Sequence, residues 1–261
     1  MSSSVLGNLV SADMPGIALV SGILVSLTML LLLTLLRLPV SLSNCVVGAF
    51  VGAALATNTQ IKIPFLIEVL GSWIAAPFIC ALMALLVYAL VIRVERFESL
   101  VTVVETNRFF LLVVVFFVSF TLGANNIGLI QSFVRNELPP EWTLVAIEIA
   151  VLLAAALGTV MFGKMISRVI SDRIVGLSQI KTLSAMLASA VVTAILTSFS
   201  IPVSLTQVVI GGMLGAGISQ RPSLVNTREI IILVSGWALV TIVSAGLGFI
   251  VSMILISLKL V

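Results

Sequence analysis

Long apolar runs dominate the sequence, and several of them reach the length needed to cross a lipid bilayer. A transmembrane helix needs about 20 consecutive apolar residues, and the runs 15–36, 63–92, 142–162 and 230–258 all reach that length. Of the 261 residues, 61% are hydrophobic and 9% are charged, whereas a soluble domain carries about 25% charged residues. The runs therefore predict an all-α, polytopic transmembrane helical bundle that forms a single membrane domain over residues 1–261.

Two further apolar runs, 45–56 and 208–218, are shorter. At about 1.5 Å per residue they cannot comfortably cross ~30 Å of hydrocarbon, but counting them predicts about eight membrane segments with both termini outside. The most basic stretches are 93–108, expected to be a solvated loop, and 164–181, expected to be a surface helix or connector. Because two crossings separate them, both lie on one side, which the positive-inside rule makes cytoplasmic.

Part of the N-terminal half recurs near the C-terminus. Pro39 matches Pro202 and Gly52 matches Gly215, so the copies are offset by 163 residues. Both copies contain a Pro-Val-Ser break followed by a glycine-bearing apolar run. A repeat of this length points to two structurally equivalent units in one chain.

The two copies enter the membrane from opposite faces if the assignment of sides is right. Repeat unit one, at 15–92, is partial and ends on the cytoplasmic side. Repeat unit two, at 109–259, contains the cytoplasmic connector 164–181, and its matching copy begins there. Many secondary transporters are built from inverted-topology repeats with broken or re-entrant helices, and they bind substrate at the breaks. The repeat therefore predicts this architecture and a transport function.

The Pro-Val-Ser breaks place hydroxyl groups just before the two short apolar runs. Ser41 and Ser43 lie in the first break, and Ser204 and Thr206 lie in the second. A helix that starts inside the membrane offers unpaired N–H groups and about half a positive charge, which favour an anion. The alternative is that proline and serine only end one helix and cap the next.

Polar groups elsewhere in the apolar runs are candidate ligands of a coupling ion. Asn125 and Asn126 follow Gly123, which could let the backbone unwind, and their amides could coordinate a cation, bind an anion or clamp two helices. Glu68 and Glu229 occupy roughly equivalent repeat positions. Each could hold a cation or a proton, or could be an interfacial charge near a helix start.

The composition also disfavours several functional classes. The chain has no histidine, and its two cysteines, Cys45 and Cys80, sit in apolar runs without a CxxC motif. No nucleophile–base pair or metal cluster is evident, so we expect neither an enzyme nor a bound cofactor, apart from Na⁺ or H⁺ as a coupling ion. The positive charge lies in loops, where it indicates membrane topology rather than nucleic-acid binding.

Three motifs resemble those of the inorganic phosphate transporter (PiT) family, which includes related sulfate permeases. The segment 123–126, Gly-Ala-Asn-Asn, is similar to the family's GAND motif, and 39–44 and 202–207 are similar to its PVSTTH motif. The resemblance implies phosphate uptake coupled to Na⁺ or H⁺, with Asn44 and Gln207 also among the substrate-binding residues. Asn126 stands where the family has an aspartate that helps to hold the cation, and Asn44 and Gln207 stand where it has histidine.

Two hypotheses follow for this integral cell-membrane, multi-pass protein. The first is secondary-active transport of a small inorganic anion, phosphate or sulfate, by a chain that acts alone or as a homodimer. The second is a non-transporting homologue that serves as a partner subunit or sensor, since the carboxylate, the histidines and the first-half GAND segment are absent from this sequence.

Overall fold

A computed structural model describes most of the chain. It covers residues 8–11, 14–36, 38, 41–95, 100–134, 141–173, 178–218 and 227–258. For 94–95, 100–103, 127–134, 141–144, 148, 165–173, 227 and 229–230 only the backbone is described. Apart from one isolated bridge between Val10 and Ile61, the described residues form helices, turns and irregular segments.

Eight helices have described bounds. They are α1 Gly16–Leu35, α2 Leu42–Ala56, α3 Ile63–Glu95, α4 Leu100–Val134, α5 Glu141–Arg173, α6 Gln179–Ser198, α7 Leu205–Ile218 and α8 Thr227–Ser257. In the described part of the chain, six of them are long and apolar enough to cross a membrane, and α2 and α7 are shorter. Their outward faces are apolar, as at Phe116, which is 75% exposed, and Val160, which is 82% exposed. Such faces suit lipid as the surrounding solvent.

Both predicted breaks coincide with helix ends. Residues 201–204 are not helical, and neither are Leu38 and Ser41 in the first copy. At the end of α6, Ser200 takes a left-handed φ of 59°, and Ile201 N–H donates to Leu196 O at 3.1 Å. This is the bond pattern of a Schellman cap. The end of α1 has the equivalent bond, from Leu38 N–H to Leu33 O.

The chain forms two compact parts, which we call the first and second bundles. The first bundle contains Met1–Ile67, Asn126–Ile170 and Ile231–Val261, and the second contains Glu68–Asn125 and Ser171–Ile230. Each bundle therefore combines helices from both repeat units: α1, α2 and α8 in the first, and α6, α7 and most of α3 in the second. These boundaries do not follow the repeat boundaries, and the inversion of the repeats stays a prediction.

The small-residue positions of both repeats pack in equivalent ways. In each bundle two glycines of the short helix lie against the backbone of a long helix, so close that a Cβ atom there would overlap a carbonyl oxygen. The pairs are Gly48 with Thr241 and Gly52 with Ala245 in the first bundle, and Gly211 with Pro77 and Gly215 with Ala81 in the second. Glycine at these four positions therefore lets each short helix pack with its backbone against that of a long helix, as small residues do between membrane helices.

Within the second bundle, α4 and α6 run parallel. Val114 and Val118 share a core cluster with Leu183 and Ala190. Seven residues beyond Val118 on α4 and beyond Ala190 on α6, Asn125 bonds to Thr197. Parallel helices start on the same side of the membrane. This direction agrees with placing the basic stretches 93–108 and 164–181 on one side.

Three local predictions differ from the structure. The stretch 93–108 is not one loop, because α3 continues to Glu95 and α4 begins at Leu100. Gly123 does not unwind the backbone, because α4 is continuous to Val134. Residues 164–173 are the last part of α5 rather than a separate surface helix. At 93–108 and 164–173 the helices continue past the apolar runs, because helices of 33–35 residues at about 1.5 Å each span about 50 Å, well beyond ~30 Å of hydrocarbon.

Candidate functional site

The break before α7 is held by hydrogen bonds from two other helices of the second bundle. Trp73 on α3 donates its indole N–H to Pro202 O at 2.8 Å. Proline cannot donate a backbone hydrogen bond and fixes φ near −65°, so it ends the preceding helix. The indole then satisfies the carbonyl that the break exposes, in the interior of the bundle.

Asn125 on α4 also makes hydrogen bonds to residues around the break. Its Nδ2 donates to Thr197 Oγ1 at 2.9 Å and to Ile201 O at 3.3 Å, and its Oδ1 accepts from Val203 N–H at 3.2 Å. The side chain is 8% exposed. One buried amide therefore joins the end of α6 to the irregular segment, which is the clamp role that the sequence left open for it.

The start of α7 carries the second set of predicted substrate residues. Ser204 is buried, and its hydroxyl accepts from Gln207 N–H at 3.4 Å, which makes it the N-cap of α7. Thr206 is half-buried on the first turn. Gln207 is buried, and its Oε1 has no hydrogen-bond partner among the described residues. Hydroxyl groups, one amide and the positive end of a helix dipole thus lie at one helix start.

The first bundle contains the equivalent helix start. Ser41 is the N-cap position of α2 but makes no side-chain capping bond, and Ser43 and Asn44 are buried on the first turn. Asn44 donates Nδ2–H to Trp237 O at 3.3 Å, while its Oδ1 is without a partner in the described part of the chain. The structure therefore groups Ser41, Ser43 and Asn44 as the sequence does.

The remaining predicted residues are less involved in these sites. Glu68 is exposed near the start of α3, and Asn126 is half-buried on α4 beside Asn125. The side chain of Glu229 lies outside the described residues, as does all of Pro39 in the first break. The assignments of Asn125, Asn126, Glu68 and Glu229 to a coupling ion stay predictions, as do those of Asn125 and Asn126 to the anion.

Sequence reasoning missed residues that act through the backbone of the break. Thr197 and Trp73 both hold the segment before α7, yet a threonine and a tryptophan in apolar runs look like ordinary core residues. The repeat offered a signal, because Trp237 lies one residue beyond the position that matches Trp73 at the 163-residue offset.

Comparisons with known proteins agree with this architecture. The model of the phosphate transporter family matches residues 2–107 and 98–248. A protein of Methanocaldococcus jannaschii named as a phosphate permease is 24% identical over 233 residues, which are 89% of this chain and 74% of that protein. A Bacillus subtilis protein named as a low-affinity inorganic phosphate transporter is 26% identical over 84% of this chain and 68% of its own length.

The fold also matches a solved structure. The chain superposes on a sodium-dependent phosphate transporter with a TM-score of 0.71, covering 100% of this chain and 85% of the other at 16% identity. At that identity the match establishes the fold alone. The family match, which spans most of the sequence, together with the six apolar helices, leads to the conclusion that this chain is an integral multi-pass membrane protein belonging to the phosphate transporter family.

Proposed function

We propose that the chain is a secondary transporter that moves phosphate across the membrane, driven by a gradient of Na⁺ or H⁺. Family membership and the names of both relatives support phosphate as the substrate. The sodium-dependent name of the structural neighbour favours Na⁺ as the coupling ion. Sulfate is the competing substrate, because it shares the tetrahedral shape and size of phosphate.

The observation that carries the proposal is the break before α7, whose backbone is hydrogen-bonded to side chains of two other helices. A helix start inside the apolar part of a transporter offers N–H groups and a positive dipole end to an anion. Here Asn125 and Trp73 fix the backbone that leads into it, so its donors need little reorganisation on binding. The break before α2 supplies the same kind of element in the first bundle.

The site residues proposed for the anion are Ser204, Thr206 and Gln207 at the start of α7, and Ser41, Ser43 and Asn44 at the start of α2. Asn125 acts by positioning the break, and Asn126 beside it is proposed to contribute to the coupling ion. Hydroxyl and amide groups suit an anion that must bind and be released, because they hydrogen-bond without the permanent charge of arginine or lysine.

The test is uptake of labelled phosphate and of labelled sulfate into proteoliposomes that contain this chain alone. Na⁺ and proton gradients are imposed separately and together. We expect gradient-dependent phosphate uptake that excess unlabelled phosphate abolishes. Folded protein that takes up neither anion would refute transport by the chain itself and favour a partner subunit or sensor.

Variants then test the assigned positions one bundle at a time. Ser204→Ala and Ser43→Ala are expected to raise the KM for phosphate, because each removes a hydroxyl at a helix start. Ser235→Ala is the matched control: its hydroxyl is exposed on α8 and bonds back to Ile231 O at 2.7 Å. If uptake by Ser204→Ala equals that of the control, the assignment of the α7 start to the anion is wrong.

A further inference from the structure

Asn44 and Trp237 form a contact between α2 and α8 in the first bundle. Asn44 is 1% exposed and donates Nδ2–H to Trp237 O at 3.3 Å. Because a backbone carbonyl can only accept, this bond fixes which side-chain atom of Asn44 is the oxygen. That oxygen, Oδ1, is buried and has no hydrogen-bond partner among the described residues. The contact therefore leaves a buried amide oxygen that can only accept a hydrogen bond.

The indole of Trp237 leaves a complementary group unused. Its Nε1–H can only donate, and it too is buried without a partner in the described part of the chain. Buried polar groups are ordinarily hydrogen-bonded, because burial without a partner costs free energy. Trp73, which lies one residue from the matching position of the other repeat, donates to Pro202 O. The indole of the second bundle is thus satisfied, and that of the first bundle is not.

The side chains of Asn44 and Trp237 both lean towards the start of α2. Contacts between α2 and α8 advance along both helices together, so the two helices run parallel. These contacts are Gly48 with Thr241 and Gly52 with Ala245. Asn44 and Trp237 each lie one turn before the first of these pairs, on the same helix faces. Since side chains on a helix tilt towards its N-terminus, the unused oxygen and the unused N–H are directed to the end of the interface where α2 begins.

The two unused groups define what can satisfy both of them. An alkali cation would satisfy the oxygen but not the N–H, and an oxyanion without a proton would satisfy the N–H but not the oxygen. An oxyanion that keeps a proton satisfies both, because one of its oxygens accepts while its O–H donates. At neutral pH phosphate keeps a P–OH group, whereas sulfate has no proton. The pair is therefore complementary to phosphate and not to sulfate.

The start of α2 adds donors for the same anion. Ser41 is buried at the N-cap and makes no side-chain capping bond, whereas the Ser204 hydroxyl in the other bundle accepts from Gln207 N–H. The first N–H groups of a helix and its positive dipole end favour a negative charge. Asn44 stands three residues after Ser41, within the first turn. The acceptor therefore lies beside groups that can bind the charged oxygens of the anion.

We propose that Asn44 Oδ1 accepts a hydrogen bond from the P–OH group of bound phosphate, that Trp237 Nε1–H donates to one of its oxygens, and that this pair excludes sulfate. The proposal rests on the proposed function, which places the anion at this helix start. It goes beyond that function by choosing between the two anions and by adding Trp237 to the site. Asn44 stands where the family motif has histidine, and unlike histidine an amide does not ionise near neutral pH, so the acceptor does not depend on pH.

The test is anion binding by the full chain in detergent, followed as the shift of the thermal unfolding midpoint at constant ionic strength. The probes, titrated at neutral pH, are phosphate, arsenate, sulfate and monofluorophosphate. Arsenate keeps an As–OH group, and monofluorophosphate has the charge and shape of hydrogen phosphate with fluorine in place of the hydroxyl. We expect similar apparent affinities for phosphate and arsenate, and affinities about tenfold or more weaker for sulfate and monofluorophosphate, because these leave the buried acceptor unpaired.

Two variants separate the acceptor from the donor. Asn44→Leu removes the oxygen at similar volume, and it should bind phosphate and monofluorophosphate with similar apparent affinities. Trp237→Phe removes the N–H, and it should weaken the binding of both anions by the same factor, because the donor serves either one. Ser26→Ala is the matched control and should keep the preference of the parent protein: Ser26 is 3% exposed in the same bundle, and its hydroxyl bonds to Gly22 O at 2.6 Å within α1.

The proposal is overturned if phosphate does not shift the midpoint of the parent protein, or if sulfate or monofluorophosphate binds as tightly as phosphate. The latter is the result for a site whose two unused groups hold only water. It is overturned equally if Asn44→Leu keeps the preference of the parent protein. Should Asn44→Leu fail to fold, the four anions on the parent protein and on Trp237→Phe decide the question.

Uptake of labelled phosphate into proteoliposomes of the same preparations separates this result from the transport proposal. Selective binding without uptake would refute transport and keep the site. Uptake that sulfate and monofluorophosphate inhibit as strongly as arsenate would keep transport and refute the site.

Discussion

Replacing Gly215 or Gly52 by alanine should separate a short helix from the long helix against which it packs. A Cβ atom at either position would overlap the backbone carbonyl of Ala81 or Ala245. A backbone group cannot rotate out of the way as a side chain can, so the two helices must move apart along the contact.

The expected magnitude follows from two opposing terms. Overpacking a well-packed contact costs about 1–3 kcal/mol, and an overlap with backbone belongs at the upper end. Replacing glycine by alanine in a helix interior stabilises the helix by about 1 kcal/mol. The net loss is therefore about 2 kcal/mol, which lowers the unfolding midpoint by about 4–8 °C for a chain of this size.

Two glycines provide matched controls. A Cβ atom on Gly71 of α3 or Gly246 of α8 would meet nothing within 4 Å. Alanine at these positions adds helix propensity without a steric overlap, and it should raise the unfolding midpoint by about 2–4 °C. The assay is thermal unfolding of purified protein in one detergent. The reasoning is refuted if Gly215→Ala and Gly52→Ala unfold at or above the midpoints of the controls.

Two other changes test the hydrogen bonds that fix the break before α7. Asn125→Leu should lower both the unfolding midpoint and the phosphate uptake rate, because it deletes three hydrogen bonds. Thr121→Val, one turn earlier on α4, should retain uptake, and equal loss in both variants would argue against a clamp. Trp73→Phe should cost about 1 kcal/mol by removing the bond to Pro202 O, whereas Trp237→Phe should cost less, because the Trp237 indole N–H has no partner among the described residues. Equal melting points for the two tryptophan variants would contradict that difference.

The sequence predicted the helical segments well and their ends less well. Apolar length is read directly from composition, because about 20 apolar residues are needed to cross hydrocarbon. Charge in 93–108 indicates where the chain meets water, but helices α3 and α4 extend into that region. Glycine at 123 costs a helix only about 1 kcal/mol, which the continuous helix α4 evidently tolerates.

Sequence patterns also grouped part of the candidate site. The hydroxyls at each helix start were predicted because they are close in sequence to a proline break. The contacts of Asn125 with Thr197 and Val203 join residues more than 70 positions apart. No local pattern predicts such pairs, because they depend on which helices pack together.

The sequence by itself determined that this chain is an all-α membrane protein, where its two helix breaks fall and that a segment of its N-terminal half recurs near its C-terminus. Those properties follow from the hydrophobic length, from proline chemistry and from identity at a fixed offset. Tertiary structure decided which helices pair, so that each bundle takes a helix from both repeats. It also decided which buried polar atoms have no hydrogen-bond partner among the described residues, such as Asn44 Oδ1 and Gln207 Oε1, since that depends on which side chains surround them.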